Sequence, residues 1–415
     1  MPMASRKSKF IHQGRAQIID HITPSRPGLL KRLNARQVLT LLRSHSPCSR
    51  ADLVRMSGLS APTVSSTIAY LQRGGLVKEL GLGTSNGGRR PDMLCFNSTY
   101  GYVAGIDLGG SNIRLAVSDL EGKLLSRWAV STRGNRTPRK IVDLIHSGLQ
   151  LLIQQGGIPE RKLLGVGLGA PGITDVRAGI VISAPHLQEW QSVPLRDLLE
   201  SKLGIPAVVE NDVNTAALGE SWAGSARGVS DFVFLAIGTG IGAGIYIGDR
   251  LYHGSEWAAG EVGYLLLPGG PVSPMAINKP GAFESVIGGD GIENAWRQMC
   301  RKGGSRGSAN SQLKATQIFD LAEQGDMRAR EVLQATAQVL AHALSNISVM
   351  LNTSLIVLGG AIGTSEPLLR ATRKLLDRNE VARPSLAISL LGEDAQLYGA
   401  VRLALDRVES SILSI

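Results

Sequence analysis

The sequence predicts an α/β protein in which a small winged helix-turn-helix domain precedes a larger domain of two related α/β lobes. Three observations carry that reading. Charge is segregated: residues 1–99 hold 15 Lys and Arg against 4 Asp and Glu, whereas the remainder holds 29 against 30. Helix-start and helix-stop residues punctuate the basic part at helix-turn-helix spacing. In the neutral part, two glycine-rich turns between apolar strands recur about 130 residues apart.

The 415 residues suffice for more than one core, and 43% hydrophobic content excludes a disordered chain. Three scattered cysteines, Cys48, Cys95 and Cys300, supply neither a disulfide framework nor a CxxC metal cage, and they fit a reducing cytoplasm. The first 28 residues mix Arg, Lys, His and Pro without the apolar stretch of a signal peptide. The uncharged runs 232–248 and 332–365 carry glycines or Gln, His and Asn, so they read as core segments and not as membrane spans. A cytoplasmic protein without membrane association is expected.

After a flexible basic tail (1–28), residues 29–98 read as the DNA-binding domain. Residues 34–43 place Val38, Leu41 and Leu42 on one helical face, with Asn34 as the N-cap. Ser49-Arg-Ala-Asp52 is the S-x-x-D form of a capping box and opens a short helix stopped at Gly58. Ser60 caps the next helix, with Pro62 in its first turn; Val64, Ile68 and Leu71 point inward, Thr63, Ser65, Ser66 and Thr67 outward, and Gly74-Gly75 ends it. Leu76-Val-Lys-Glu-Leu80 and Met93-Leu-Cys-Phe96 read as strands flanking a wing whose tip is Gly87-Gly-Arg-Arg-Pro91. Ser60, Thr63, Ser65 and Ser66 then face the major groove of double-stranded DNA, and Arg89 and Arg90 enter the minor groove, where the potential is most negative. The alternative is a small docking bundle with a solvated arginine loop.

From residue 99 onward the glycine turns dominate. Asp107-Leu-Gly109-Gly110-Ser111 and Gly238-Thr239-Gly240-Ile-Gly-Ala-Gly244 each join two apolar strands, and Leu355-Ile-Val-Leu-Gly359-Gly360 ends a third. Such turns let backbone N–H groups approach phosphate oxygens, with Ser111 and Thr239 adding hydroxyls. Singly they are weak signals, since glycine turns occur in any sheet protein.

In sequence order, Asp107-Leu-Gly-Gly-Ser, Gly169-Ala-Pro-Gly172, Glu210-Asn-Asp212, Gly238-Thr-Gly-Ile-Gly-Ala-Gly244, Ala259-Gly-Glu261-Val-Gly263 and Val357-Leu-Gly-Gly360 resemble the ROK family of repressors and sugar kinases. The N-terminal Leu33-Asn-Ala-Arg-Gln-Val-Leu39 fits the same resemblance, which implies a two-lobed actin-like (ribonuclease H-like) domain over residues 99–415 with a sugar in its cleft. It implies further that Asn211, Asp212, Glu261, Tyr264, Glu284 and Gly172 surround the sugar. In kinase members Asp212 would be the general base, and ATP with Mg²⁺ would lie against Asp107, Gly109, Gly110, Ser111, Gly238, Thr239, Gly240, Gly359 and Gly360. A carboxylate can accept from two adjacent hydroxyls, which suits a sugar contact. Asn211 and Asp212 equally read as a turn capping the helix that starts near Val213, and the two roles are compatible.

The chain departs from the family pattern at the zinc site. Many members have Gly-His followed by three cysteines, whereas here Gly263-Tyr264 is followed by a cysteine-free stretch, 268–284, with Ala282 at the last cysteine position. No zinc is therefore expected. Elsewhere, His342 reads as a partly buried core histidine, Cys95 and Cys300 as ordinary small residues, and Trp190 and Trp257 as core residues or as walls flanking a sugar.

Two functions follow. In the first, a sugar-responsive regulator, acting as a repressor of carbohydrate-metabolism genes, binds a palindromic operator as a homodimer or homotetramer, and a sugar or sugar phosphate modulates that binding. In the second, an ATP-dependent hexose kinase carries an accessory DNA-binding domain. The fused basic domain favours the first.

Overall fold

The computed structural model describes residues 27–83, 90–134, 136–184, 187, 189–266, 279–302 and 312–412. The chain divides into two compact units, one running through Phe96 and the other Asn97–Ile412.

In the first unit, α1 (Pro27–His45) leads through β1 (Cys48–Ser49) to α2 (Arg50–Ser57), α3 (Ala61–Arg73), β2 (Val77–Leu82) and β3 (Asp92–Phe96). The strands form an antiparallel sheet in the order β1-β3-β2, which is the wing. Sequence reasoning missed β1, because two residues show no periodicity. Ser49 both ends β1 and caps α2: its Oγ accepts from the Asp52 N–H at 3.2 Å, while an Asp52 carboxylate oxygen accepts from the Ser49 N–H at 2.8 Å. Gly58 closes α2 in the left-handed conformation, φ +68°. Ser49→Ala, which removes half of this reciprocal cap, is expected to cost about 1 kcal/mol. Hydrogen exchange at the first amides of α2 should accelerate about fivefold.

Three expectations need correction. Asn34 lies inside α1, which begins seven residues earlier at Pro27; the apolar face continues backward through exposed Leu29, Leu30 and Leu33, so the stripe gave no start signal. Thr67 is buried beside Ile68 because it falls between Val64 and Leu71 on the inward face. His342 is exposed: the buried stripe of its helix runs through Leu340, Ala341, Ala343 and Leu344 and leaves position 342 outside.

The second unit opens with β4 (Tyr102–Leu108), β5 (Asn112–Asp119), β6 (Leu124–Ser131), α4 (Pro138–Gln155) and β7 (Leu163–Ala170). It continues through β8 (Ile173–Asp175), β9 (Ile180–Ser183), β10 (Gln191–Val193), α5 (Leu195–Leu203), β11 (Ala207–Asn211) and α6 (Asp212–Ala223). Then follow β12 (Phe232–Ile237), β13 (Ile241–Tyr246), α7 (Glu284–Ile287), α8 (Gly289–Lys302), α9 (Ala315–Glu323) and α10 (Met327–Leu351). It closes with β14 (Leu355–Gly359), α11 (Gly360–Gly363), α12 (Glu366–Leu376), β15 (Ser385–Ile388) and α13 (Ala395–Ile412).

Two larger sheets organise these elements, and β10-β9-β8 form a small antiparallel third. The first, β11-β7-β4-β5-β6, is mixed: the β4-β5-β6 meander is antiparallel, and β7 and β11 join β4 in parallel. The second, β13-β12-β14-β15, repeats the scheme with one antiparallel hairpin and two parallel additions. Beyond the second hairpin, Tyr246 and Leu251 form a single antiparallel bridge.

Each sheet has its own apolar core. Ile106, Leu115, Leu149 and Leu168 belong to the first and Leu235, Phe319, Leu340 and Leu358 to the second. Two helices join them. α13 packs on β4 and β7, α6 packs on β12 and β13, and α6 and α13 cross each other. At that crossing Gly219 and Gly399 allow backbone contact, because a Cβ at Gly399 would come 1.7 Å from the Thr215 carbonyl oxygen. Among the described residues, no helix is long and apolar enough to cross a membrane.

Candidate functional site

The site grows from the end of β11. Parallel pairing sets Glu210 beside Gly169 and Asn211 beside Ala170, so the E-N-D run emerges next to the G-A-P-G turn. Asn211 caps α6: its Oδ1 accepts from the Val213 and Asn214 N–H groups at 2.9 and 3.0 Å. Its Nδ2 donates to the Gly172 carbonyl at 2.9 Å. Gly172 has φ +85°, and a Cβ there would come 2.0 Å from the Ser183 carbonyl oxygen, so both space and conformation demand glycine. The expected capping and the expected grouping of Gly172 with Asn211 thus coincide in one side chain.

Asp212 begins α6, and its carboxyl is pushed up to about 7, first by burial and then by the charges of Asp107 and Glu261. Glu261 is raised likewise, by burial and by Glu284. Burial, Glu261 and Glu284 raise the Tyr264 phenol. Glu284, the first residue of α7, accepts from the Ile241 N–H at 2.9 Å and so ties the second glycine hairpin to this cluster. The fold therefore brings Asn211, Asp212, Glu261, Tyr264, Glu284 and Gly172 together with Asp107. Such a cluster of acceptors can accept hydrogen bonds from several adjacent hydroxyls.

The three glycine segments differ. A Cβ at Gly110 would meet nothing within 4 Å and one at Gly238 only the Gly240 carbonyl oxygen at 4.0 Å, so packing does not require glycine at either. Ser111 and Thr239 are exposed beside them, while Gly109 donates to the Asn112 carbonyl and Gly238 to the Gly240 carbonyl, closing each turn. Gly359 and Gly360 are needed for packing: a Cβ would strike the Phe234 ring at 2.2 Å and the Ile237 carbonyl oxygen at 2.5 Å, respectively.

Three residues went unrecognised in the sequence. Arg114 donates from Nε to the buried Asp107 carboxylate at 2.8 Å. The β4-β5 register places the two directly opposite, which the length of the hairpin turn could have revealed. His253 lies 2.7 Å through Nε2 from the buried Glu210 carboxylate, and this hydrogen bond holds its imidazole above the usual range. Arg177, in the β8-β9 turn, lies 5.9 Å from the Trp257 ring. The last two contacts span 43 and 80 residues with no spacing pattern to betray them. Trp190, by contrast, is a core residue whose indole N–H donates to the Arg136 carbonyl.

In the first unit, Ser60 accepts from the Thr63 N–H as the cap of α3, its hydroxyl pairs with that of Thr63 at 2.8 Å, and Ser66 bonds back to the Thr63 carbonyl. Ser65 is exposed, with no side-chain hydrogen bond among the described residues, and Arg90 is exposed just before β3. Arg89 lies outside the described residues, as do residues 267–278, which include most of the cysteine-free stretch. Among the described residues, no group of three His, Cys, Asp or Glu side chains is placed to hold a metal ion.

The ROK family model matches residues 103–407, well over half of the chain. The protein belongs to the ROK family. Its ROK domain and its N-terminal unit together align with a xylose repressor of Caldicellulosiruptor bescii, 26% identical over 91% of this chain and 96% of that one. The crystal structure of a ROK family transcriptional regulator homologous to the E. coli MLC protein superposes with a TM-score of 0.76 at 21% identity, covering 93% of this chain and 98% of the other. The ROK domain alone superposes on a Streptomyces griseus glucokinase in complex with glucose and AMPPNP, with a TM-score of 0.61 and 29% identity, covering 74% of this chain and all of that one. The fold of both units and the actin-like architecture are those expected from the sequence.

Proposed function

We propose that this chain is a sugar-responsive transcriptional repressor, cytoplasmic and oligomeric, whose ROK cleft binds a sugar that alters operator affinity. The observation that carries the reading is the coexistence of a winged helix-turn-helix with a cluster of carboxylates that can accept hydrogen bonds from hydroxyls. Alignment with a xylose repressor over nearly its whole length supports it. On the DNA side, Ser65 is the α3 residue freest to meet a base edge, Ser60, Thr63 and Ser66 shape the helix start, and Arg89 and Arg90 serve the minor groove. On the sugar side, Asp212, Glu261 and Glu284 accept hydrogen bonds from hydroxyls, and Asn211, Gly172 and Tyr264 position the ring.

One observation favours a second reading, hexose phosphorylation: Asp212, with its carboxyl near neutrality, suits a general base. The residues present fit a nucleotide in part. Gly110, Ser111, Gly238 and Thr239 would cradle its phosphates, and the Asp107 oxygen not engaged by Arg114 would face its Mg²⁺. Bound nucleotide would supply the phosphoryl group; the chain would position the sugar and take the hydroxyl proton at the Asp212 carboxylate.

The deciding experiment titrates the protein on its own upstream DNA at several salt concentrations, with and without D-xylose or D-glucose. Salt-sensitive, site-specific binding that one sugar shifts at least tenfold is expected. Replacing Arg89 and Arg90 together by Ala should reduce the slope of log K against log salt by about two. Hexose phosphorylation at about 10 s⁻¹ without specific DNA binding would overturn the proposal.

A further inference from the structure

Among the described residues, Trp257 is the one bulky aromatic residue with positive φ, at +63°. A large side chain in that region is costly and persists where its surroundings hold it. It sits four residues before Glu261, in the segment that follows β13. Its ring meets His253 edge-on with centroids 5.5 Å apart, and His253 in turn is hydrogen-bonded to Glu210, the residue preceding Asn211 and Asp212. Arg177 lies 5.9 Å from the same ring. Arg177 belongs to the β8-β9 hairpin on the side of the first sheet, and Asn211 is bound to the start of that hairpin through Gly172. Trp257 extends from the second sheet. Trp257 is only partly buried, and its two neighbours come from the segment after β13 and from the β8-β9 hairpin.

We infer that Trp257, steadied by His253 and Arg177, is the platform on which the effector sugar packs, and that it selects neutral pyranoses with a continuous C–H face. This rests on the cleft being a sugar site. Equatorial hydroxyls leave a pyranose with an apolar face that fits an aromatic ring, while its edge presents hydroxyls to Asp212, Glu261 and Glu284. Those carboxylates repel an anionic ligand. The backbone strain at position 257 is thus maintained by a side chain with a ligand role.

The test measures binding of D-xylose and D-glucose by calorimetry in the wild-type full chain and in Trp257→Gly, Trp257→Phe, Arg177→Ala and Asp212→Ala. Trp257→Gly should weaken the bound sugar at least tenfold while leaving the ligand-free melting temperature unchanged or higher, because glycine adopts this φ without strain. Trp257→Phe should stay within about threefold of wild type, and Arg177→Ala should lose about threefold. D-glucose 6-phosphate should bind more weakly than D-glucose. Wild-type affinity in Trp257→Gly together with loss in Asp212→Ala would overturn the platform and leave the sugar site standing. Unchanged affinity in both variants would overturn the sugar site itself.

Discussion

Asp212→Asn should abolish the effect of sugar on operator binding and remove its pH dependence. In the wild type the carboxyl is pushed up to about 7 by burial and by Asp107 and Glu261, so protonated and ionised Asp212 coexist near neutrality. A sugar hydroxyl donates to the ionised form, so sugar affinity should rise about tenfold between pH 6 and 8 as the ionised fraction grows. The sign for stability is opposite. The folded-state value lies above the unfolded one, so the native state binds more protons between pH 4 and 7 and loses stability as pH rises through that window. Asp212→Asn should therefore melt above wild type, with a gap that opens from pH 4 and levels off above pH 7. Calorimetric titration and thermal melts on the same two proteins check both halves. A pH-independent wild-type affinity would assign the hydroxyl contact to another residue.

Gly399→Ala should cost about 3 kcal/mol or more, at the upper end for a single methyl, because its Cβ would meet backbone and not a movable side chain. The added atom would lie 1.7 Å from the Thr215 carbonyl oxygen, and a Cβ at Gly219 would lie 2.2 Å from the Ala395 carbonyl oxygen, so either change must separate α6 from α13. Separation of those helices also displaces the start of α6, where Asn211 and Asp212 sit. Loss of sugar binding should accompany the drop in the urea midpoint, although the nearest neighbours of the added methyl are Thr215 and Gly219.

Much of the architecture was legible in the sequence, and for identifiable reasons. Caps and glycine stops are local signals: Ser49, Gly58 and Ser60 each act within four residues of themselves and were read correctly. The glycine hairpins were legible because the strands flanking them are continuous apolar runs. What failed was set by distance or by burial. The start of α1 was missed because its first turns expose leucines where a core stripe would read as continuing. The burial of Thr67 depends on its angular position among apolar neighbours and not on its polarity. The candidate site was legible as a set of motifs, but the pairing of Glu210 with His253 and of Trp257 with Arg177 exists only after two sheets have been assembled.

The cap on α6 also fixes the direction in which hydrogen bonds can run at the mouth of the cleft. Both lone pairs of the Asn211 amide oxygen are used by the Val213 and Asn214 N–H groups, and one amide hydrogen is used by the Gly172 carbonyl. One N–H remains, so Asn211 can offer a ligand a donor and nothing else. Its ionised neighbour Asp212 can only accept. A hydroxyl bridging the two must therefore receive from Asn211 and give to Asp212, which orients its O–H bond and loosens its proton. An ether or carbonyl oxygen could satisfy Asn211 but would leave Asp212 unanswered, so the pair discriminates a hydroxyl from other oxygens by polarity alone.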